Sequence, residues 1–218
     1  MDATLKAFFN TVQTGVVTDA MYLLGLEGWT TDIFPMKPDG RIFGKAFTVQ
    51  GMPIRAKGDQ PNYTIYELAE LCEPDDVMVV DGLGTKCSLM GENMANTCMH
   101  RGLAGMVLHG RCRDYGLIRD IAMPVFSMGA AMELKNKYFT YGAYNVTVNI
   151  AGAQVRPGDY ILGDIDGVLV VPADKLEEIK YQAEMIMEVE EEMEQAIREK
   201  RPYKELQQII AKKRSLRK

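Results

Sequence analysis

Histidine is nearly missing from this chain: His100 and His109 are the only two in 218 residues. A zinc centre built from closely spaced histidines and cysteines therefore has little to draw on. Cysteine is also sparse. Cys72, Cys87, Cys98 and Cys112 form no Cys-x-x-Cys pair, so four reduced, mostly buried thiols are expected. No apolar run approaches the roughly 20 residues that span a bilayer. Residues 1–6 lack the basic-then-apolar layout of a secretion signal. Positive charge is in deficit as well, with 25 Lys and Arg against 30 Asp and Glu, a net −5. A nucleic-acid binder needs a basic face. These absences point to an intracellular, cytoplasmic protein that makes no direct contact with membrane or nucleic acid.

What is present reads as an ordinary globular protein, 47% hydrophobic and 25% charged. Its length suits one domain, or at most a domain with an appendage. Residues 4–25 have helical spacing, with Thr18 or Asp19 placed to cap a second short helix. Residues 27–40 are loop-like and 46–51 strand-like. Residues 59–62 form a turn that opens a helix over 63–72. A buried strand is expected at 77–80, then a glycine-spaced loop through Gly84 to Gly91. A helix over 92–101, a strand over 103–109, a short helix through Ile118 and a strand at 124–126 follow. That alternation predicts parallel βαβ units. After residue 140 the pattern becomes antiparallel, with strands at 146–150, 160–163 and 168–171. Asp81 and Asp166, each before a glycine, read as turn residues.

The end of the chain divides by charge. Residues 174–195 carry nine acids and two bases, whereas 201–218 carry seven bases and one acid. The expectation is a single α/β domain over 1–200, with its terminal helix from about 174. Residues 201–218 read as a frayed basic tail.

Two loops carry the candidate chemistry. Each follows a parallel strand, and ligands of open α/β sheets bind beyond the carboxyl ends of such strands. The first delivers Gly91-Glu92-Asn93-Met94 at a helix start, where unpaired N–H groups and the helix dipole suit an anion. The second delivers Arg113 and Asp114. An arginine grips a carboxylate in bidentate fashion, and an aspartate holds a hard divalent cation through oxygen. The plainer alternative is a loose turn at Gly91 and a surface ion pair at Arg113 and Asp114. His109 ends its strand as a packing or hydrogen-bonding residue.

Several segments in order resemble the RraA-like family. They are Val79-Val80-Asp81-Gly82, Gly91-Glu92-Asn93-Met94-Ala95 and Gly105-Met106-Val107-Leu108-His109-Gly110-Arg111-Cys112-Arg113-Asp114. Pro124-Val125-Phe126, Val155-Arg156-Pro157-Gly158-Asp159 and Asp164-Ile165-Asp166-Gly167-Val168-Leu169-Val170-Val171-Pro172 complete the set. The resemblance spans roughly residues 15–190. It implies an α/β sandwich with a βαβ core, an antiparallel C-terminal strand section and a terminal helix, assembled as a homotrimer or hexamer. The family includes metal-dependent (class II) pyruvate aldolases acting on 4-hydroxy-4-methyl-2-oxoglutarate and 4-carboxy-4-hydroxy-2-oxoadipate. It also includes regulators of ribonuclease E and proteins once misnamed as menaquinone methyltransferases.

By that resemblance, Gly91, Glu92, Asn93 and Met94 bind the pyruvyl carboxylate of a 2-oxo acid. Arg113 contacts its oxygens, and Asp114 is the one direct ligand to Mg²⁺ or Mn²⁺. Glu92 holds a catalytic water, so Arg113 and Glu92 are the catalytic pair. An acid of a neighbouring subunit, drawn here from 188–194, supports the metal. The implied function is C–C bond cleavage to pyruvate, with oxaloacetate decarboxylation as a second activity. One position departs from the aldolase motif, which has an acid three residues after the metal aspartate. Leu117 stands there, and the ribonuclease-regulator branch also lacks that acid. The alternative is accordingly a non-catalytic protein that regulates ribonuclease E by binding.

Overall fold

A computed structural model of the chain describes residues 3–54, 63–134 and 139–216. The chain opens with α1 (Ala3–Thr11) and α2 (Thr14–Leu23), then β1 (Phe34–Pro35), β2 (Ile42–Pro53) and α3 (Ile65–Glu70). Its middle runs β3 (Asp76–Ser88), α4 (Glu92–His100), β4 (Gly105–Arg111), α5 (Tyr115–Arg119) and β5 (Val125–Ser127). It closes with β6 (Phe139–Tyr144), β7 (Val148–Ile150), β8 (Ala153–Val155), β9 (Tyr160–Asp164), β10 (Gly167–Val171), α6 (Leu176–Arg198) and α7 (Tyr203–Ser215). Two compact units result: residues 28–173, and the two chain ends up to Glu27 and from Asp174. No described helix is long and apolar enough to cross a membrane.

The larger unit is a mixed eight-stranded sheet ordered β1-β5-β4-β3-β2-β9-β10, with β6 also pairing β2. Strands β2, β3, β4 and β5 are mutually parallel, and β9–β10 and β7–β8 are antiparallel, as the sequence pattern implies. The strand Val77-Met78-Val79-Val80 is apolar at every position because both faces are covered. Met78 and Val80 pack with Leu68, Met94 and Cys98 under the helices α3 and α4. Val77 and Val79 pack with Val148, Ile150 and Val155 of the β7–β8 ribbon on the other face. Thr64 and Glu67 form a capping box that starts α3. The turn expected at 59–62 lies outside the described residues.

Strand β3 is longer than its sequence suggests. Its register with β4 shifts between Val80 and Thr85, so residues 81–84 bulge out before pairing resumes at Thr85 and Ser88. Leu83 (φ 58°) and Gly84 (φ 64°) take left-handed conformations there. The glycines therefore mark a bulge inside a strand, not a loop after it. Asp81 is likewise not a simple turn residue. It is buried, accepts the Leu83 N–H at 3.0 Å, and lies 3.0 Å from His109 Nδ1. In the β9–β10 turn, Asp164 accepts the Asp166 N–H at 3.0 Å.

In the helical unit the first break comes earlier than expected. Gln13, not Thr18 or Asp19, precedes α2. The Thr11 hydroxyl turns back to the Phe8 carbonyl at 3.0 Å and closes α1. The basic end is also not frayed. Residues from Tyr203 to Ser215 form a helix, with Ile209 buried against Val189 and Ala196 of α6. Lys212 meets Glu192 at 2.6 Å, and Lys213 sits between Asp19 (2.6 Å) and Glu190 (2.9 Å). Apolar contact at Ile209 and opposite charge on α6 and α7 turn an apparent tail into a packed element.

All four cysteines are free and buried. Burial pushes the Cys98 thiol up to about 12 and raises Cys72 and Cys112 as well.

Candidate active site

The tip of α4 is built on Gly91, whose backbone is extended and whose missing side chain leaves the helix without a local cap. The cap comes from elsewhere. The Glu92 N–H donates to Oδ2 of Asp114 at 3.1 Å. A carboxylate at a helix N-terminus satisfies an orphan donor and meets the positive end of the dipole. Only glycine permits this approach. A Cβ on residue 91 would collide with Asp114 Oδ2 and lie 3.1 Å from Arg113 Nε.

The connecting segment is laced in place. The Leu89 N–H donates to the Arg111 carbonyl at 2.8 Å, and the Arg113 N–H to the Met90 carbonyl at 3.0 Å. The Ser88 hydroxyl donates to the same Met90 carbonyl at 2.8 Å. From β6, the Tyr141 hydroxyl donates to the Leu89 carbonyl at 3.1 Å. Ser88 and Tyr141 thus hold the site without belonging to any motif. Their contacts are with backbone carbonyls, which leave no side-chain signature in a sequence.

Asp114 itself is left-handed, with φ 59° and ψ 33°. An aspartate tolerates this better than most residues, and such conformations gather at functional sites. Its carbonyl accepts the N–H groups of Leu117 and Ile118, both at 3.0 Å, and buried Ile118 anchors α5. Arg113 Nε stands 3.5 Å from Asp114 Oδ2 with both side chains more than a third exposed, so the pair adds at most about 1 kcal/mol to stability. The Glu92 N–H and the Arg113 guanidinium both meet the Asp114 carboxylate at Oδ2. Glu92 Oε1 accepts from Asn96 Nδ2 at 3.4 Å.

The expected residues therefore converge, with different roles. Gly91 supplies space, and Glu92, Arg113 and Asp114 supply functional groups around one corner. Asn93 is exposed, and its N–H is among the donors a helix start leaves unpaired. The Met94 side chain is core, and its N–H returns to the Gly91 carbonyl at 3.1 Å. His109 lies elsewhere. Strand alternation puts it with Val107 on the β7–β8 face, opposite α4. The 188–194 acids lie in α6, where Glu190 and Glu192 are engaged by lysines of α7.

No group of three or more His, Cys, Asp or Glu side chains able to hold a metal ion exists among the described residues. The donor set is one half-exposed carboxylate. That suits Mg²⁺ or Mn²⁺, which bind through few protein oxygens and keep water and substrate as remaining ligands, and does not suit zinc.

The family model RraA-like (Aldolase/RraA) matches residues 14–170. The chain belongs to this family. DlpA of Legionella pneumophila is 32% identical over 187 residues, which cover 83% of this chain and 29% of DlpA. The chain thus spans under a third of that relative's length. The 4-hydroxy-4-methyl-2-oxoglutarate aldolase of Thermus thermophilus is 29% identical over 155 residues, covering 67% of this chain and 94% of that protein. Among solved structures, Streptomyces coelicolor RraAS2, described as an unusual member of the RNase ES inhibitor RraA family, superposes with a TM-score of 0.79 at 27% identity. That match covers 88% of this chain and 96% of RraAS2.

Proposed function

We propose that the chain is a lyase that cleaves the C3–C4 bond of a 4-hydroxy-2-oxo acid to release pyruvate. The observation that carries this reading is the contact between the α4 tip and the Arg113–Asp114 corner, which puts the helix start and its Asn93 N–H beside a carboxylate and a guanidinium. The aldolase name of the Thermus relative supports it.

Each group has a distinct task. The Asn93 N–H and the dipole of α4 bind the substrate carboxylate. Arg113 places positive charge where negative charge develops as the bond breaks. Glu92, through a water, accepts the proton of the C4 hydroxyl. Asp114 would hold Mg²⁺ or Mn²⁺, and the bound ion supplies Lewis-acid polarisation of the keto oxygen. Loss of CO₂ from oxaloacetate leaves the same enolate, so decarboxylation is a second expected activity. No Schiff-base lysine enters: Lys86 is exposed on β3. A homotrimer or hexamer is part of the proposal, following from the family resemblance.

The test is pyruvate release from a panel of 2-oxo acids, with Mg²⁺ and with chelator. Metal-dependent release that Asp114→Ala abolishes supports the reading, and full activity in that variant contradicts it. A second reading, ribonuclease inhibition by contact, draws on Leu117 and on the RraAS2 likeness. Capture of a ribonuclease E partner without any pyruvate release favours that one.

A further inference from the structure

The two halves of the corner are anchored separately. On the Asp114 side, the Cys112 N–H donates to the Gly129 carbonyl at 3.1 Å, and the Ala131 N–H donates to the Cys112 carbonyl at 2.8 Å. The Asp114 carbonyl meets Leu117 and Ile118 of α5. On the α4 side, the lead-in residues Ser88, Leu89 and Met90 are all buried. A peptide is planar and trans, so a carbonyl held at its oxygen also fixes the direction of the next N–H. The Tyr141 hydroxyl holds the Leu89 carbonyl at 3.1 Å, and with it the Leu89–Met90 plane. The Ser88 hydroxyl and the Arg113 N–H hold the Met90 carbonyl at 2.8 and 3.0 Å, and with it the Met90–Gly91 plane. Gly91 follows directly, and Glu92 and Asn93 open the helix.

Tyr141 is the support that comes from furthest away in sequence, on β6. Its side chain is fully buried, and its ring stands edge-on to Phe139 with centroids 5.4 Å apart. Burial raises its phenol pKa, so the hydroxyl remains a donor. The ring alone would fill this space. What the hydroxyl adds is the bond to Leu89, and without it that carbonyl turns to find another donor.

We propose that Tyr141 is a positioning residue for the carboxylate side of the site: through Leu89 it sets the angle at which the α4 tip and its Asn93 N–H face the Arg113–Asp114 corner. The inference rests on the lyase reading of the same site and adds the residue that tunes substrate affinity within it. The substrate carboxylate is held alike before and during bond cleavage. A misaligned tip therefore weakens substrate binding and leaves the chemical step nearly untouched. Asp114 has its own anchors, so its affinity for a cation does not depend on Tyr141.

The experiment compares the full-length chain with Tyr141→Phe, Ser88→Ala and a control, Ile150→Val, in the core on the opposite face of the sheet. Each is assayed with Mg²⁺ at the same interval below its own melting temperature, on the 2-oxo acid that the wild type cleaves best. Tyr141→Phe is expected to raise KM about tenfold and to change kcat by less than about twofold. Ser88→Ala is expected to raise KM by a smaller factor, because the Arg113 N–H still holds the Met90 carbonyl. Ile150→Val is expected to lower the melting temperature and leave KM unchanged. Mn²⁺ titrated by electron paramagnetic resonance gives a readout independent of turnover. Tyr141→Phe is expected to bind Mn²⁺ with wild-type affinity and to lose the tightening by pyruvate. Wild-type KM and an intact pyruvate effect in Tyr141→Phe overturn the positioning role and leave the lyase reading standing. A loss confined to kcat, or weakened Mn²⁺ binding without pyruvate, overturns it as well. If Tyr141→Phe does not fold, an unchanged KM in Ser88→Ala overturns it. A wild type that releases pyruvate from no 2-oxo acid overturns the lyase reading and this inference with it.

Discussion

The backbone N–H of Glu92 donates to Oδ2 of Asp114 across 22 residues of sequence, at 3.1 Å. One carboxylate thus caps α4 and stands in the corner where a cation would bind. Structure and chemistry are coupled through it, and the two can be separated by mutation.

Asp114→Asn keeps an oxygen that can accept the Glu92 N–H, whereas Asp114→Ala does not. The alanine variant is expected to lose about 0.5–2 kcal/mol of stability, the range for a lost helix cap, and the asparagine variant much less. Both are expected to lose about 100-fold or more in pyruvate release. Urea titrations beside a coupled assay check the split. Equal stability loss in both would refute the capping role.

Gly91→Ala puts a methyl group into the Asp114 carboxylate. Its backbone conformation suits alanine, so the cost is steric: the Asp114 carboxylate must swing away from the helix tip to make room. Activity is expected to fall as far as in Asp114→Ala. A Gly91→Ala variant with unchanged turnover would mean the tip and the corner do not work together.

The helical unit makes a pH prediction. Burial lowers the Lys213 pKa, but hydrogen bonds from its ammonium to Asp19 and Glu190 outweigh that, and the net shift is upward. A lysine raised on folding contributes stability that is complete below its unfolded pKa of about 10.4 and fades as pH rises through the folded value. Wild type should therefore exceed Lys213→Met in melting temperature by a constant margin from pH 7 to 9, on the order of a few degrees. The margin should shrink above about pH 10.4. A margin that is flat through pH 11 would contradict it.

The four buried thiols are expected to resist a disulfide reagent at pH 8 and to react together on unfolding. Thiol titration in buffer and in guanidinium checks this, and rapid reaction of Cys98 in the native protein would contradict its raised pKa.

The parallel core was readable because strands buried on both faces are continuously apolar, as at 77–80, and because each is followed by a helix start. Gly91, Arg113 and Asp114 were readable as candidates because each sits directly after such a strand. Other features were hidden for physical reasons. The 81–84 bulge carries the same glycines a loop would. The α7 helix looked like a tail because what it packs on, the Val189 and Ala196 face and the acids of α6, lies in another helix, which local propensity does not register. Tyr141 and Ser88 bind carbonyls, which every residue owns.

Manganese binding followed by electron paramagnetic resonance tests the central claim most directly. The account predicts one Mn²⁺ per wild-type chain, bound more tightly in the presence of pyruvate, with both effects lost in Asp114→Asn and the pyruvate effect lost in Gly91→Ala. Manganese bound with unchanged affinity in Asp114→Asn, or indifferent to pyruvate in the wild type, would contradict it.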